Sequence, residues 1–288
     1  MRPPSRARAT LAVLVVSPLI AGCDAGAADR GLDRGTGPMA QEVPPIRRPT
    51  RQDTELALRL PPADEPPGRH AFYWTRAVYS GSRGRGWGRP AWATDFPKGG
   101  RQFLIVLKRL VQLDAYDFEN AVPLDDTDLR RFPVIYAVEV GHMDLTQEEV
   151  HGLRDYLNAG GFLIVDDFWG TREWAQFERN IRRVLPGRPI VDLPLDHPLF
   201  SAFYQIDEIK QVPQRDRGIY GGPTWEQDGV FPHVRGIFDD HGRLMVVINW
   251  NTDLGDAWEW AEHPYYPLEY STYAYEMGAN MIVYGMSH

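Results

Sequence analysis

Apolar residues recur at three- and four-residue steps between Leu145 and Asn158, at Val150, Leu153, Tyr156 and Leu157. That spacing puts them on one face of a helix. Thr146 and Glu149 stand ahead of the run as Thr-x-x-Glu, a capping box that satisfies two free amides at a helix start. Gly160-Gly161 supplies the stop. Phe162, Leu163, Ile164 and Val165 then form an unbroken apolar run, the pattern of a strand covered on both faces. Asp166 and Asp167 fall where that strand leaves the sheet, the edge at which open α/β sheets bind ligands.

The same reading extends along the chain. Ala71 to Tyr79, rich in aromatic and β-branched residues, predicts a first strand. Gly99 to Leu113 carries Phe103, Leu104, Leu107 and Val111 at helical spacing. Leu124 to Arg131 predicts a surface turn with a short helix, and Phe132 to Val140 a second strand. Thr171 is expected to cap a helix through about Val184, followed by a short strand over Pro189 to Leu193. Asp196 to Gly242 has little period and predicts loops with a β-hairpin. Arg243 to Trp250 predicts a strand, Asn251 to Pro267 a loop or short helix, and Ser271 to Tyr284 a closing helix. Strands alternating with helices predict a mostly parallel sheet with helices on both faces.

The first residues break from this pattern. Arg2, Arg6 and Arg8 precede a short apolar run from Leu11 to Ile20, and Leu19-Ile20-Ala21-Gly22-Cys23 follows. The run is too short to span a bilayer and reads as a signal peptide over 1–22. The motif resembles the bacterial lipobox, which implies lipidation of Cys23, the single cysteine of the chain. Several acyl chains, each worth about 0.8 kcal/mol per buried methylene, would hold the protein on a membrane. Asp24 resembles an inner-membrane retention signal. Residues 23–68, with paired prolines at 44–45, 61–62 and 66–67, read as a tether, and 69–288 as one α/β domain.

Cleavage at that point would remove three arginines and no acids, taking the formal net charge from −8 to −11. So acidic a domain lacks the basic surface that phosphate backbones need, so no nucleic-acid partner is expected. A lipidated cysteine also excludes disulfides and a thiol nucleophile.

Five groups of residues could carry chemistry. Asp166 and Asp167 point to opposite sides of their strand, so one of them can reach a cleft as metal ligand, base or hydroxyl acceptor; the other reading is a helix cap or an arginine partner. Glu139 and His142 leave the second strand at the same edge. Residues 81–88, GSRGRGWG, could present Arg83 and Arg85 to an anion beside Ser80 and Trp169, but lack the ending of a Walker loop. Asn249, Asn251, Asp253, Asp256 and Glu259 offer hard oxygen ligands, with Asp253, Asp256 and Glu259 the metal candidates; the same groups could cap a helix. Trp250, Trp258, Trp260, Tyr265, Tyr266 and Tyr270 could stack on sugar rings, although burial under a loop explains them as well. No Gly-x-Ser-x-Gly elbow surrounds Ser80, Ser82, Ser201 or Ser271, so the sequence offers no support for a serine hydrolase. No cofactor is required, and a divalent cation is possible.

The segments FYWTRAVYSG, YAVEVGH, LTQEEVHGLRDYLNAGGFLIVDD, LDHPLF and NWNTDLGDAWEW, in that order, resemble the DUF4159 family over about Arg69 to His288. The resemblance implies a class I glutamine amidotransferase-like fold, a flavodoxin-like three-layer sandwich. It implies no activity. Amidotransferases proper place a cysteine at a strand-to-helix elbow, where this chain has Asp166-Asp167, so their thiol chemistry is not expected. Two expectations follow: an envelope lipoprotein, facing the periplasm, that binds a glycan or protein partner, or a metal-assisted hydrolase of envelope material. The second requires three or more of the named groups to converge around one cleft.

Overall fold

A computed structural model describes residues 70–82 and 89–288. The expected signal peptide, the tether, Cys23, Arg83 and Arg85 lie outside them. Among the described residues no helix is long and apolar enough to cross a membrane.

The elements run β1 (Thr75–Val78), α1 (Lys98–Val111), β2 (Asn120–Pro123), β3 (Val134–Val138), α2 (Gln147–Asn158), β4 (Phe162–Asp166) and α3 (Gly170–Val184). Then come β5 (Val191–Asp192), α4 (Arg215–Tyr220), β6 (His233–Phe238), β7 (Leu244–Trp250), α5 (Leu254–Glu259) and α6 (Leu268–Ser287). The described strands form one seven-stranded sheet in the order β2-β1-β3-β4-β7-β6-β5. The first five run parallel, while β6 pairs antiparallel with β7, and β5 with β6. The fold is therefore α/β with a mostly parallel sheet; the segment Asp196 to Gly242, expected to hold a β-hairpin of its own, supplies the single strand β6, which pairs instead with the strand expected over Arg243 to Trp250.

Side chains alternate along β4 into two separate cores, as a period of two requires. Leu163 and Val165 pack with Leu153 of α2 and Phe177 of α3. Phe162 and Ile164 pack on the opposite face with Phe103 of α1, Trp258 of α5 and Met277 of α6. All five residues of β3 and of β4 are buried, which explains their unbroken apolar runs.

Of two expected helix caps, one forms and one gives way to a longer-range contact. The capping box at Thr146 and Glu149 forms as read. Thr171, however, does not cap α3: Trp169 is the N-cap residue, and Asp228 accepts hydrogen bonds from both the Thr171 amide and its hydroxyl. A distant loop thus does the work assigned to a local side chain. Strand β2 was not foreseen. Its four residues, Asn-Ala-Val-Pro, give no usable period, and its proline is tolerated because β2 is an edge strand.

Candidate functional site at the carboxyl edge of the sheet

The parallel strands all end on the same side, and the loops beyond them gather carboxylates. After β1, residues 90–97 fold inward through a short turn of helix over Ala91–Ala93 and deliver Asp95 in a left-handed backbone conformation (φ 59°). After β3, Glu139 is left-handed (φ 51°), and after β4 so is Asp167 (φ 51°). After β7, Asn251 is left-handed (φ 61°), and Asp253 caps α5 by accepting from the Asp256 amide at 2.7 Å. Non-glycine residues seldom adopt this conformation, and such positions concentrate where structure serves a site.

Carboxylate oxygens of Asp95, Asp167 and Asp253 lie within 4.8 Å of one another. Those of Asp95, Asp256 and Glu259 form a second such group, so Asp95 belongs to both. Asp167 is 7% and Asp253 3% exposed. Asp95 Oδ2 is buried and has no hydrogen-bond partner among the described residues. It is held close over α5: a Cβ placed on Gly255 would come within 2.5 Å of it and 3.5 Å of Asp253 Oδ1.

Burial and mutual repulsion act together on these groups. Burial pushes the Asp95 carboxyl well above the usual carboxylate range, and the Asp256 and Glu259 charges push it further. Asp167 is raised by burial and then by Glu139 and Asp95. Asp253 is raised by burial, then by Asp167 and Asp256. Asp256 is pushed up to about 6, burial again leading, with the Arg215 amide opposing.

The adjacent aspartates divide as strand alternation requires. Asp166 is 0% exposed, and its Oδ2 accepts from the Tyr136 hydroxyl at 2.8 Å and from the Leu254 and Gly255 amides at 3.0 and 3.1 Å. It therefore ties β4 to the start of α5, the structural role weighed for it. Burial nonetheless pushes its carboxyl up to about 7, against those hydrogen bonds. Asp167 turns into the cluster and accepts from the Trp169 indole at 3.1 Å. Trp169 itself is 2% exposed, so its ring serves Asp167 rather than a ligand surface.

Of the oxygen ligands named from sequence, Asp253 joins one carboxylate group and Asp256 and Glu259 the other. Asn249 and Asn251 are buried and occupied with backbone: Asn249 donates to Val165, while Asn251 accepts from Gly170 and donates to Phe231. Of the aromatic stretch, Trp258 and Tyr266 are buried in the core while Tyr265 is exposed. Asp95 escaped the sequence reading. It stands in a segment without period, Ala-Trp-Ala-Thr-Asp-Phe-Pro, and its one local signal is an acid between two prolines.

A polar cleft of about 710 Å³ opens between the loops after β1 and β3 and the start of α3, and none of the clustered carboxylates lines it. Ser82, His142, Arg172, Gln176 and Arg179 are among its lining residues. His142 lies 3.5 Å from Glu139, so the two groups expected at the end of β3 do meet. Ser80 sits just behind, its amide donating to Glu149 at 2.7 Å.

With this geometry in view, comparison with known proteins defines the class. A family model described as Domain of unknown function (DUF4159) matches residues 80–286. The chain belongs to that family. No curated protein matches it.

Proposed function

We propose that this chain is a lipid-anchored protein of the bacterial envelope, facing the periplasm, whose α/β domain binds a hard divalent cation. The carrying observation is the convergence of Asp95, Asp167 and Asp253 within 4.8 Å, with Asp95 Oδ2 buried and unbonded among the described residues. Two unit charges about 4 Å apart repel by about 4 kcal/mol at an effective dielectric of 20. A third charge compounds this, so the cluster stays protonated or takes a cation. An all-carboxylate set without sulfur or imidazole suits Ca²⁺ or Mg²⁺. The polar cleft at the ends of β1 and β3 is of a size for a small polar ligand, and a glycan is the ligand this reading favours.

The order β2-β1-β3-β4-β7 over the parallel strands is the flavodoxin-like order, which supports the three-layer, amidotransferase-like reading of the fold. On that reading Asp167, left-handed between β4 and α3, stands at the elbow where amidotransferases carry their cysteine. Cation chemistry would then replace thiol chemistry at the same place.

Thermal unfolding of the mature chain with and without Ca²⁺ or Mg²⁺ tests the cation. Saturation at about a hundredfold over Kd should add about 2.7 kcal/mol of stability. Asp167→Asn and Asp253→Asn should abolish that gain while leaving the chain folded. An unchanged melting temperature in both cations, with no bound metal on analysis, would refute the reading.

A further inference from the structure

The strand order reverses between β1 and β3, and ligands of open α/β sheets bind at that switch point. The residues just beyond these two strands are held together by an isolated antiparallel bridge, Gly81 to Met143. The Ser82 amide donates to the His142 carbonyl at 2.9 Å, and the Asp144 amide to the Ser80 carbonyl at 2.8 Å. Glycine is needed at 81, because a Cβ there would lie 2.2 Å from the His142 carbonyl oxygen.

That close approach fixes three side chains in a row. Ser82 Oγ lies 3.1 Å from His142 Nδ1. His142 Nε2 lies 3.5 Å from Glu139 Oε2. Ser82 is exposed, while the His142 and Glu139 side chains are 22% and 13% exposed. The exposed end of the row is therefore the hydroxyl, and the sheltered end the carboxylate. Ser82 and His142 both line the polar cleft, with Arg172 and Arg179.

We infer that Ser82, His142 and Glu139 form a nucleophile, base and orienting acid for acyl transfer, and that the domain hydrolyses a small carboxylic ester of a polar, hydroxyl-bearing alcohol. An activated serine needs a base within hydrogen-bond reach and a third group orienting that base. Glu139 stands 3.5 Å from Nε2, short of a hydrogen bond in this structure, and its charge favours the tautomer protonated there, with Nδ1 accepting from Ser82. Ser82 Oγ attacks the ester carbonyl carbon as His142 Nδ1 takes the hydroxyl proton. The carbonyl oxygen becomes an anion, and Arg172 supplies positive charge in the same cleft. Collapse expels the alcohol, which leaves with the proton from His142, and the acyl group remains as an ester of Ser82. Water then attacks that ester and gives its proton to Nδ1. The carboxylic acid departs as Ser82 Oγ recovers the proton. The polar lining of the cleft selects the polar alcohol. None of these steps uses a cation, so the inference does not rest on the carboxylate cluster.

The test uses the intact chain with a chelator present throughout, so its outcome is separate from that of cation binding. A fluorophosphonate probe should add once, at Ser82, by mass analysis of the digested protein, and Ser82→Ala should abolish the addition. Hydrolysis of p-nitrophenyl acetate should fall about 10²- to 10⁴-fold in His142→Ala, the range of a lost general base, and added imidazole should restore part of it. Glu139→Gln should lower kcat with KM unchanged, and Glu139→Asp should recover part of that loss. A folded chain that the probe does not label would overturn the inference. So would labelling that persists in Ser82→Ala, or hydrolysis unchanged in His142→Ala.

Discussion

Two groups of buried charge lie side by side in this molecule, and only one of them is complete. Arg76 on β1 and Glu119 before β2 are 1% and 3% exposed, with Arg76 Nε donating to Glu119 at 2.8 Å. The guanidinium also donates to the Thr94 carbonyl and sits 4.8 Å from the centre of the Tyr136 ring. Burial pushes the Glu119 carboxyl up, and Arg76 pulls it back. Across the same tyrosine, whose hydroxyl serves Asp166, the Asp95–Asp167–Asp253 group brings three acids together; the Arg76 charge pulls the Asp95 carboxyl down, but burial and the neighbouring acids outweigh it. A buried ion is tolerated when it is paired and hydrogen-bonded. The first group is paired from within the chain, with Glu119 Oε1 on Arg76, although Glu119 Oε2 has no hydrogen-bond partner among the described residues. The second meets that condition only by holding protons or by taking a cation.

The largest effect should come from breaking the complete group. Arg76→Met leaves Glu119 buried without its partner, a class of change that costs about 3–5 kcal/mol. Urea unfolding should show that loss, and the double variant Arg76→Met with Glu119→Leu should recover most of it. Asp167→Asn, measured without cations at an alkaline pH that draws protons from the cluster, should instead stabilise the fold, because it removes a repelling charge. A loss from Asp167→Asn as large as that from Arg76→Met would show that the cluster is also complete, and the contrast would fail.

A smaller effect, spread over pH, should sharpen the contrast. Carboxylates ionise near 4 in an unfolded chain, at about 3.9 for aspartate. In the folded chain Asp256 is raised to about 6 and Asp166 to about 7, and Asp95, Asp167 and Asp253 are raised well above the usual range. The folded state therefore binds more protons than the unfolded state between about pH 4 and pH 7. Its stability should be highest at the acid end of that window and fall as pH rises through it. This is opposite to the slope given by carboxylates whose pKa is depressed in the folded state. Saturating Ca²⁺ or Mg²⁺ should flatten or reverse the fall, since a cation binds the ionised cluster. Denaturation midpoints at pH 4.5 and 7 with and without cation would show it, and a rise in stability with pH in the cation-free chain would count against the assignment.

How much of this was readable in advance follows from the distance over which each feature is encoded. α2 and β4 were readable because their period, cap and stop all lie within one stretch, Leu145 to Asp167. The mostly parallel sheet followed from the alternation of such stretches. Asp167 and Asp253 could be placed at the carboxyl edge, since each directly follows a strand or leads a helix. Asp95 could not, because what carries it there is the packing of Ala91, Trp92 and Ala93, which follow no repeat. The pairing of Ser82 with His142 was equally hidden. It depends on a two-residue bridge between segments 60 residues apart, and no short motif marks it. The acid cap on α3 shows the same limit, with Asp228 supplying from 57 residues away what Thr171 was expected to supply itself.

The smallest effect on the fold should come from the residue that lets the carboxylates meet. Gly255 lies in the first turn of α5 against the cluster, and a Cβ there would lie 2.5 Å from Asp95 Oδ2 and 3.2 Å from the Tyr136 hydroxyl. The nearer atom is the end of a side chain, which can swing aside where backbone could not. Alanine also favours helix over glycine by about 1 kcal/mol, so it offsets part of the strain. Gly255→Ala should therefore change stability by less than about 1 kcal/mol without cations. The displaced Asp95 carboxylate, however, is the member common to both acid groups, so the stabilisation by Ca²⁺ or Mg²⁺ should be lost or sharply reduced. The same substitution leaves the Arg76–Glu119 pair untouched. A variant that folds as well as the wild type yet no longer responds to cations would separate the architecture of this edge from its chemistry. A variant that keeps the full response would mean that Asp95 is not a ligand, and would leave Asp167 and Asp253 too few to hold an ion alone.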